Sequence, residues 1–237
     1  MSERLPINLI QLTPVRFELQ WPPLISEEVL HAKLQVKAYL EKTYGDIISE
    51  LRVGFATLSV NLHDGVVITN WQELLEELNS LQVEATALPK RTWTIPVCYG
   101  GKFGKDLQSM SRLINMDEDS LIQLHQSGEY LLHFYGFLPG FMYLGGLPSQ
   151  LHCARKSVPD REIPAGTVAI GGQQTGIYPI ASPGGWHAIG RSPLAFADFQ
   201  QKRPQVGDRI RFSAIDAISY ESISEAVQKG IYQWPHD

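Results

Sequence analysis

A chain of 237 residues, 43% hydrophobic and 19% charged, has the composition of an ordinary globular protein of one or two domains, long enough to bury a sizeable core. Twenty basic against 25 acidic side chains leave a net charge of -5, which argues against nucleic acid or an anionic membrane as a partner, because both need a clustered positive field. No apolar run reaches the ~18 residues of a membrane span, and the opening MSERLPINLIQ lacks the basic head and apolar core of a leader, so a cytoplasmic protein is expected.

Residues 15–21 (VRFELQW) alternate as a strand, and after Pro22 and Pro23 a helix is expected to open at Ser26 as N-cap and run to about Thr43. Its acids come early and its lysines late, as the helix dipole prefers. Residues 52–62 (RVGFATLSVNL) show period-two alternation and predict one half-buried strand, closed by a turn at His63, Asp64 and Gly65. Asn70, with Glu73 three residues later, predicts a capped helix whose stripe is Leu74, Leu75, Leu78 and Leu81, ending near Gln82. Periodicity then stops. Residues 83–91 (VEATALPKR) predict a linker, so domains are expected at 1–88 and 89–237. Trp93, Ile95 and Val97 restart the alternation in a strand over 92–98, which Gly100, Gly101 and Gly104 end. Two short helices follow, one near 105–114 and one capped by Asp117 that carries Leu121, Leu124 and His125; residues 129–135 (EYLLHFY) then alternate again. Towards the C-terminus Gly207 and Asp208 turn into a strand within 206–212, and a last helix is expected over 222–229. Many short strands with glycine turns predict a β-barrel or sandwich.

Residues 136–191 hold 11 of the 20 glycines, together with the aromatics Phe137, Phe141, Tyr143, Tyr178 and Trp186 and the polar tips Gln173, Gln174, Thr175 and Arg191. Apolar walls with few polar groups suit a small-molecule pocket, while the same glycines also suit a barrel that needs them for shape alone; composition weighs the two equally. The sequence has no GxxxxGK[ST], no GxGxxG before a helix, no HExxH and no GxSxG. A Walker-type nucleotide site, a metal centre and a covalent serine mechanism are therefore not expected. Cys98 and Cys153 form no CxxC pair and read as small hydrophobes in a reducing compartment.

Three strings, CYGGKFGKDL at 98–107, HQSGEYLLHFYGFLPGFMYLGGLP at 125–148 and IPAGTVAIGGQQTGIYPIASPGGWHAIGRSP at 163–193, together resemble the C-terminal domain of the B subunit family of 5-oxoprolinase, also described as the KipI-like or allophanate hydrolase subunit 1 family. The resemblance implies an α+β protein of two domains: a small N-terminal α/β domain, a ferredoxin-like sandwich, followed by a cyclophilin-like β-barrel. It also implies one subunit of a hydrolase acting on a cyclic amide, which with a KipA-like C subunit plus an A subunit opens 5-oxo-L-proline to L-glutamate at the expense of ATP. ATP would be bound by the complex, at a site that cannot be assigned on this chain. Two other roles in the same family stay open: inhibition of a sporulation-type sensor histidine kinase, and a carboxyltransfer or amide-processing role towards urea or allophanate. Residues 11–21 (QLTPVRFELQW) lack the GD-containing strand usual in the family, Met142 stands where proline is frequent, and Thr167 where serine is frequent.

A lactam is a resonance-stabilised amide, so opening it needs an activated carbonyl and donors placed for developing negative charge. Under this reading Gln173, Gln174, Thr175, Tyr178 and Arg191 bind the substrate, Arg191 holding a carboxylate or phosphate in fork fashion, and no metal takes part. His125 serves as general acid or base, because imidazole titrates near neutrality. The plainer alternatives are that Gln173 and Thr175 complete a turn, Arg191 pairs with Asp208, and His125 caps its helix; with Arg191 structural, the anchor is to be sought at Arg155 or on the partner. Limited proteolysis is expected to cut within residues 83–91 and release a stable fragment of residues 92–237; cleavage only elsewhere, or a fragment that unfolds, would contradict the boundary.

Overall fold

The computed structural model describes residues 5–68, 70–81, 91–200 and 202–237. The chain divides into two compact units, Met1–Leu88 and Pro89–Asp237. Apart from Arg91, the expected linker lies outside the described residues.

The first unit contains β1 (Asn8–Thr13), β2 (Arg16–Gln20), α1 (Glu27–Tyr44), β3 (Ile48–Val53), β4 (Thr57–Leu62) and α2 (Trp71–Ser80). Its strands form an antiparallel sheet in the order β1-β2-β4-β3. Both expected helix caps are in place: the Ser26 hydroxyl accepts from the Val29 N–H at 3.2 Å, and the Asn70 side chain from the Glu73 N–H at 3.1 Å. Phe17, Leu19, Leu58 and Val60 of the sheet share one core with Val29, Val36 and Leu40 of α1 and with Leu74 and Leu78 of α2.

The strand expected over 52–62 is two strands, split at Gly54. There the Gly54 N–H donates to the Thr57 carbonyl at 2.8 Å, and Lys33, fully buried on α1, donates to the Gly54 and Phe55 carbonyls at 2.7 and 2.6 Å. An ammonium from another element thus takes up carbonyls that a continuous strand would offer to a neighbour, and apolar alternation carries no sign of such a bond. Burial lowers the Lys33 pKa to about 8. The sequence also gives no warning of β1. It is a largely exposed edge strand, held by backbone pairing to β2 rather than by an alternating buried face.

The second unit runs β5 (Thr92–Tyr99), α3 (Leu107–Leu113), α4 (Glu118–Ser127), β6 (Tyr130–Tyr135), β7 (Met142–Gly145), β8 (Asp160–Ile163), β9 (Thr167–Gly171), β10 (Gln174–Ile177), β11 (Ser182–Gly184), β12 (His187–Arg191), β13 (Arg209–Ala214) and α5 (Ala217–Gln228). Seven strands close into a barrel in the order β10-β7-β6-β13-β5-β12-β9, while β8 and β11 pair as a separate ribbon. Within the barrel β13 lies parallel to β5; the other ladders are antiparallel. The chain is therefore α+β. Trp93, Ile95 and Val97, expected on one face, join Leu132, Leu144, Val168, Ile170, Ile177 and Ile210 in the barrel core.

Asp117 caps α4 as expected, accepting from the Ser120 N–H at 2.9 Å. The last helix begins at Ala217, five residues before its expected start, with Asp216 accepting from the Ser219 N–H at 2.7 Å. Ile218 in its first turn is 81% exposed and none of its residues is fully buried, so no apolar stripe marks that turn in the sequence.

Gly176 on β10 tests how tightly this barrel is packed. A Cβ there would meet the Met142 carbonyl oxygen at 2.7 Å and the Trp186 ring at 2.9 Å, whereas one at Gly185 would find nothing nearer than 3.6 Å. Gly176→Ala is expected to cost about 1–3 kcal/mol in chemical denaturation, and Gly185→Ala almost nothing. Equal midpoints for the two variants would contradict the close approach at β10.

Candidate functional site

Outside the barrel the glycine-rich stretch builds a second, smaller core. Phe141, Tyr178 and Trp186 pack there with Ala169 of β9 and Ile163 of the ribbon. The rings meet edge-on, with centroids 4.8 Å apart for Phe141–Tyr178 and 5.6 Å for Phe141–Trp186. Missing side chains make the room: a Cβ at Gly171 would stand 2.5 Å from the Trp186 ring, and one at Gly184 2.2 Å from the Tyr178 hydroxyl. Between β9 and β10 the turn is Gly172-Gln173, with φ +67 at Gly172, the two-residue geometry that calls for glycine in first place.

Gln174 follows that turn and pairs with Gly171, which puts it on the side of the wall where Trp186 lies. It is 6% exposed, and its amide nitrogen is buried without an acceptor. An unsatisfied buried donor costs about 1–3 kcal/mol, so this placement asks for a partner group. Gln173 is exposed at the tip of the turn.

The remaining expected residues separate from Gln174. Thr175, one step along β10, points the other way into the barrel, where its hydroxyl donates to the Ala169 carbonyl at 3.1 Å and meets His125 Nε2 at 3.0 Å. His125 reaches in from α4, its Nδ1 2.8 Å from the Tyr99 hydroxyl and its ring stacked on Phe212. It has no exposed surface, and burial lowers its pKa to about 3. The expected general acid or base is thus a neutral core histidine with both nitrogens engaged, and the expected substrate contact at Thr175 is its buried partner. Tyr178 is a wall of the outer core; its hydroxyl accepts from the backbone N–H of Trp186, and burial pushes its pKa up to about 12.

Arg191 lies at the Thr167 end of β9, whereas Gln174 pairs with Gly171 at the other end. Four residues of strand separate the two positions by roughly 13 Å. Its Nη2 donates to the Lys102 carbonyl at 2.8 Å, its guanidinium stacks over Phe103, and its Nε is buried without a partner. It does not pair with Asp208, which is fully buried and accepts from Trp93 Nε1 and the Gln205 N–H, both at 2.8 Å.

Two residues of the basic stretch between the glycine-rich strings, Arg155 and Lys156, follow Cys153, whose backbone bridges to Gly172 of the turn. Lys156 donates to Asp106 and Asp160, at 2.6 Å each, and Asp106 also accepts from the Ala188 N–H at 2.8 Å. Burial by itself would lower the Lys156 pKa, yet the two carboxylates outweigh it and hold the amine above its ordinary value. Only the Lys156–Asp160 spacing is local enough to be noticed in the sequence; Asp106 is 50 residues away. Arg155 is exposed, lies with its guanidinium 5.5 Å from the Trp186 ring centre, and has no ion pair among the described residues. Cys153 Sγ is 3.5 Å from His187 Nε2, but that nitrogen donates to the Ala154 carbonyl and burial raises the thiol pKa, so the pair is not an activated nucleophile.

Residues 9–206 match the family described as carboxyltransferase domain, subdomain C and D. The B subunit of 5-oxoprolinase from Bacillus subtilis (strain 168) is 42% identical over 139 residues, which is 57% of this chain and 58% of that protein. That of Escherichia coli O157:H7 is 43% identical over 148 residues, 61% of this chain and 66% of that protein. The chain belongs to the 5-oxoprolinase B subunit family. The match spans less than two thirds of the length of either of these relatives. Among solved structures, the protein TTHA0988 superposes with a TM-score of 0.72 at 30% identity, over 85% of this chain and 40% of its own. The K. lactis urea amidolyase shares the fold, with a TM-score of 0.79 at 15% identity over 100% of this chain and 16% of its own. The family match reaches into the first unit, where none of the three family strings lies.

The burial of His125 has a consequence for stability. Its folded pKa is depressed from the ordinary 6.5 to about 3, so the unfolded chain binds the extra proton first as pH falls. Its contribution is complete above about pH 6.5 and is lost on the way down to pH 3, on the order of 5 kcal/mol over the whole interval. His125→Gln, which cannot titrate, is expected to flatten the fall of barrel stability between pH 6.5 and 4. An imidazole that NMR shows to be protonated at pH 6 in the folded protein would contradict the burial.

Proposed function

We propose that this chain is the B subunit of an ATP-dependent 5-oxoprolinase, opening 5-oxo-L-proline to L-glutamate together with a KipA-like C subunit plus an A subunit. The observation that carries this reading is the 40–43% identity to proteins named as the B subunit of 5-oxoprolinase. In the same reading the barrel is cyclophilin-like, and the first unit is a ferredoxin-like sandwich in which β1 holds the edge beside β2. Counterparts of this fold make up 40% of TTHA0988 and 16% of the urea amidolyase, which supports a chain that works beside other domains.

The β9–β10 turn does not fit ATP: Gly172 spends its N–H and carbonyl on Cys153, so the turn keeps no cradle of free backbone donors for a triphosphate. We assign ATP to another part of the complex and derive no step through it. What falls to this chain is to bind and orient the lactam on the outer wall, with the Gln174 amide as a donor towards the carbonyl oxygen that gains charge as the ring opens.

A second reading, the KipI-type inhibitor of a sensor histidine kinase, draws on an exposed apolar patch. Phe137 is 62% exposed and held at φ +62, and Phe199 and Ile180 are exposed near it. Alone, the chain is expected to show no turnover; mixed with its A and C partners and ATP, it is expected to yield glutamate from 5-oxoproline. Turnover by the single chain, or by the two partners just as fast without it, would contradict the proposal, and inhibition of kinase autophosphorylation by the chain would favour the second reading.

A further inference from the structure

We infer that Arg155, laid over the Trp186 indole on the side of the barrel wall that carries Gln174, is the anchor for the carboxylate of the cyclic amide that the proposed reaction opens. The inference rests on the 5-oxoprolinase reading and adds to it the residue that recognises the acid.

Placement comes first. The backbone at Cys153 bridges to Gly172, and the Lys156 N–H donates to the Gly185 carbonyl at 2.8 Å, so the segment carrying Arg155 is tied at both ends alongside the β9–β10 turn. Lys156 is clamped further by Asp106 and Asp160. The backbone under Arg155 is therefore fixed, while its side chain is exposed.

Charge comes next. Asp160 lies close enough to Tyr178 to influence it, but it is already held by Lys156 at 2.6 Å and Lys105 at 3.1 Å. Arg155 packs against Trp186, an indole only 5% exposed and wedged against Gly171. Cation–π attraction to a fixed ring holds the guanidinium over the indole while its N–H groups stay unpaired, and a carboxylate can take two of them in parallel.

Chemical selection completes the argument. Gln174 supplies a buried donor without an acceptor on the same wall, and Tyr143, half-buried and stacked on Phe134 at 4.2 Å, supplies an apolar surface for ring methylenes. A ligand with a carboxylate for Arg155, a carbonyl oxygen for Gln174 and a compact ring between them meets all three. L-Proline lacks the carbonyl and pyrrolidin-2-one lacks the carboxylate, so each probes one contact.

The test uses the assembled complex for kinetics and the purified chain for ligand-observed NMR with 5-oxo-L-proline, L-proline and pyrrolidin-2-one. Arg155→Ala is expected to raise KM for 5-oxoproline about ten- to a hundredfold with kcat little changed, and Arg155→Lys to fall between. In the NMR series Arg155→Ala is expected to erase the preference for 5-oxoproline over pyrrolidin-2-one, and Gln174→Leu the preference over proline. Thermal melting of the Arg155 variants should match the parent, because the side chain is exposed. An active complex whose KM ignores Arg155→Ala overturns the anchor and spares the 5-oxoprolinase reading. A complex inert towards 5-oxoproline overturns that reading instead, and the anchor then stands only if the chain binds 5-oxoproline and loses it on Arg155→Ala; absence of binding overturns it too.

Discussion

Aromatic rings can pack directly on the wall of a β-barrel only where the wall beneath them carries no side chains, and the second unit is arranged around that steric condition. Trp186 rests against Gly171 and Gly176, and Tyr178 fits because Gly184 has no Cβ. Once the rings are seated, the β8–β11 ribbon has an apolar surface to cover, Ile163 joins the outer core, and the segment through Arg155 lies over the indole. The glycines are dense here because two cores share one sheet: on β9 and β10 the aliphatic Val168, Ile170 and Ile177 face the inner core, while Phe141, Tyr178 and Trp186 cover the outside.

Polar groups divide along the same wall. A single step along β10 sends Gln174 outward and Thr175 inward. The inward side joins Thr175, His125 and Tyr99 into a chain of hydrogen bonds that draws on α4, β5 and β10, a fully satisfied network of the sort that fixes one packing of a core. The outward side keeps a donor with nothing to give to and a cation without a counter-ion among the described residues. That contrast is the reason the proposed site is drawn on the outer wall. The Asp106–Lys156–Asp160 cluster serves that surface indirectly, by pinning the backbone on which Arg155 stands.

How much is legible beforehand depends on the range of the signal. Ser26, Asn70 and Asp117 are recognisable as caps because each satisfies an N–H three residues away. The break at Gly54 is not, since it depends on Lys33 reaching across from α1. At the site, the string from Gln173 to Thr175 stands out as unusual, yet nothing in it says that its members face opposite sides of a wall. Arg191 draws attention because acids are absent from its neighbourhood in sequence; in space its guanidinium meets Lys102, 89 residues away, while Arg155, only the second choice of anchor in the sequence, lies over Trp186.

Local order was therefore written in the chain: caps, tight turns, strand alternation and the family strings all depend on residues within a few positions of one another. Barrel closure decided the rest. Joining β10 to β9 and β7 turned alternation into an inside and an outside, which buried His125 and left Gln174 beneath the outer aromatic core. The contacts that define the site join residues far apart in sequence, such as Asp106 with Ala188, 82 residues on. Periodicity ranks residues by their likeness to near neighbours, and pairings of that reach exist only once the sheet has closed on itself.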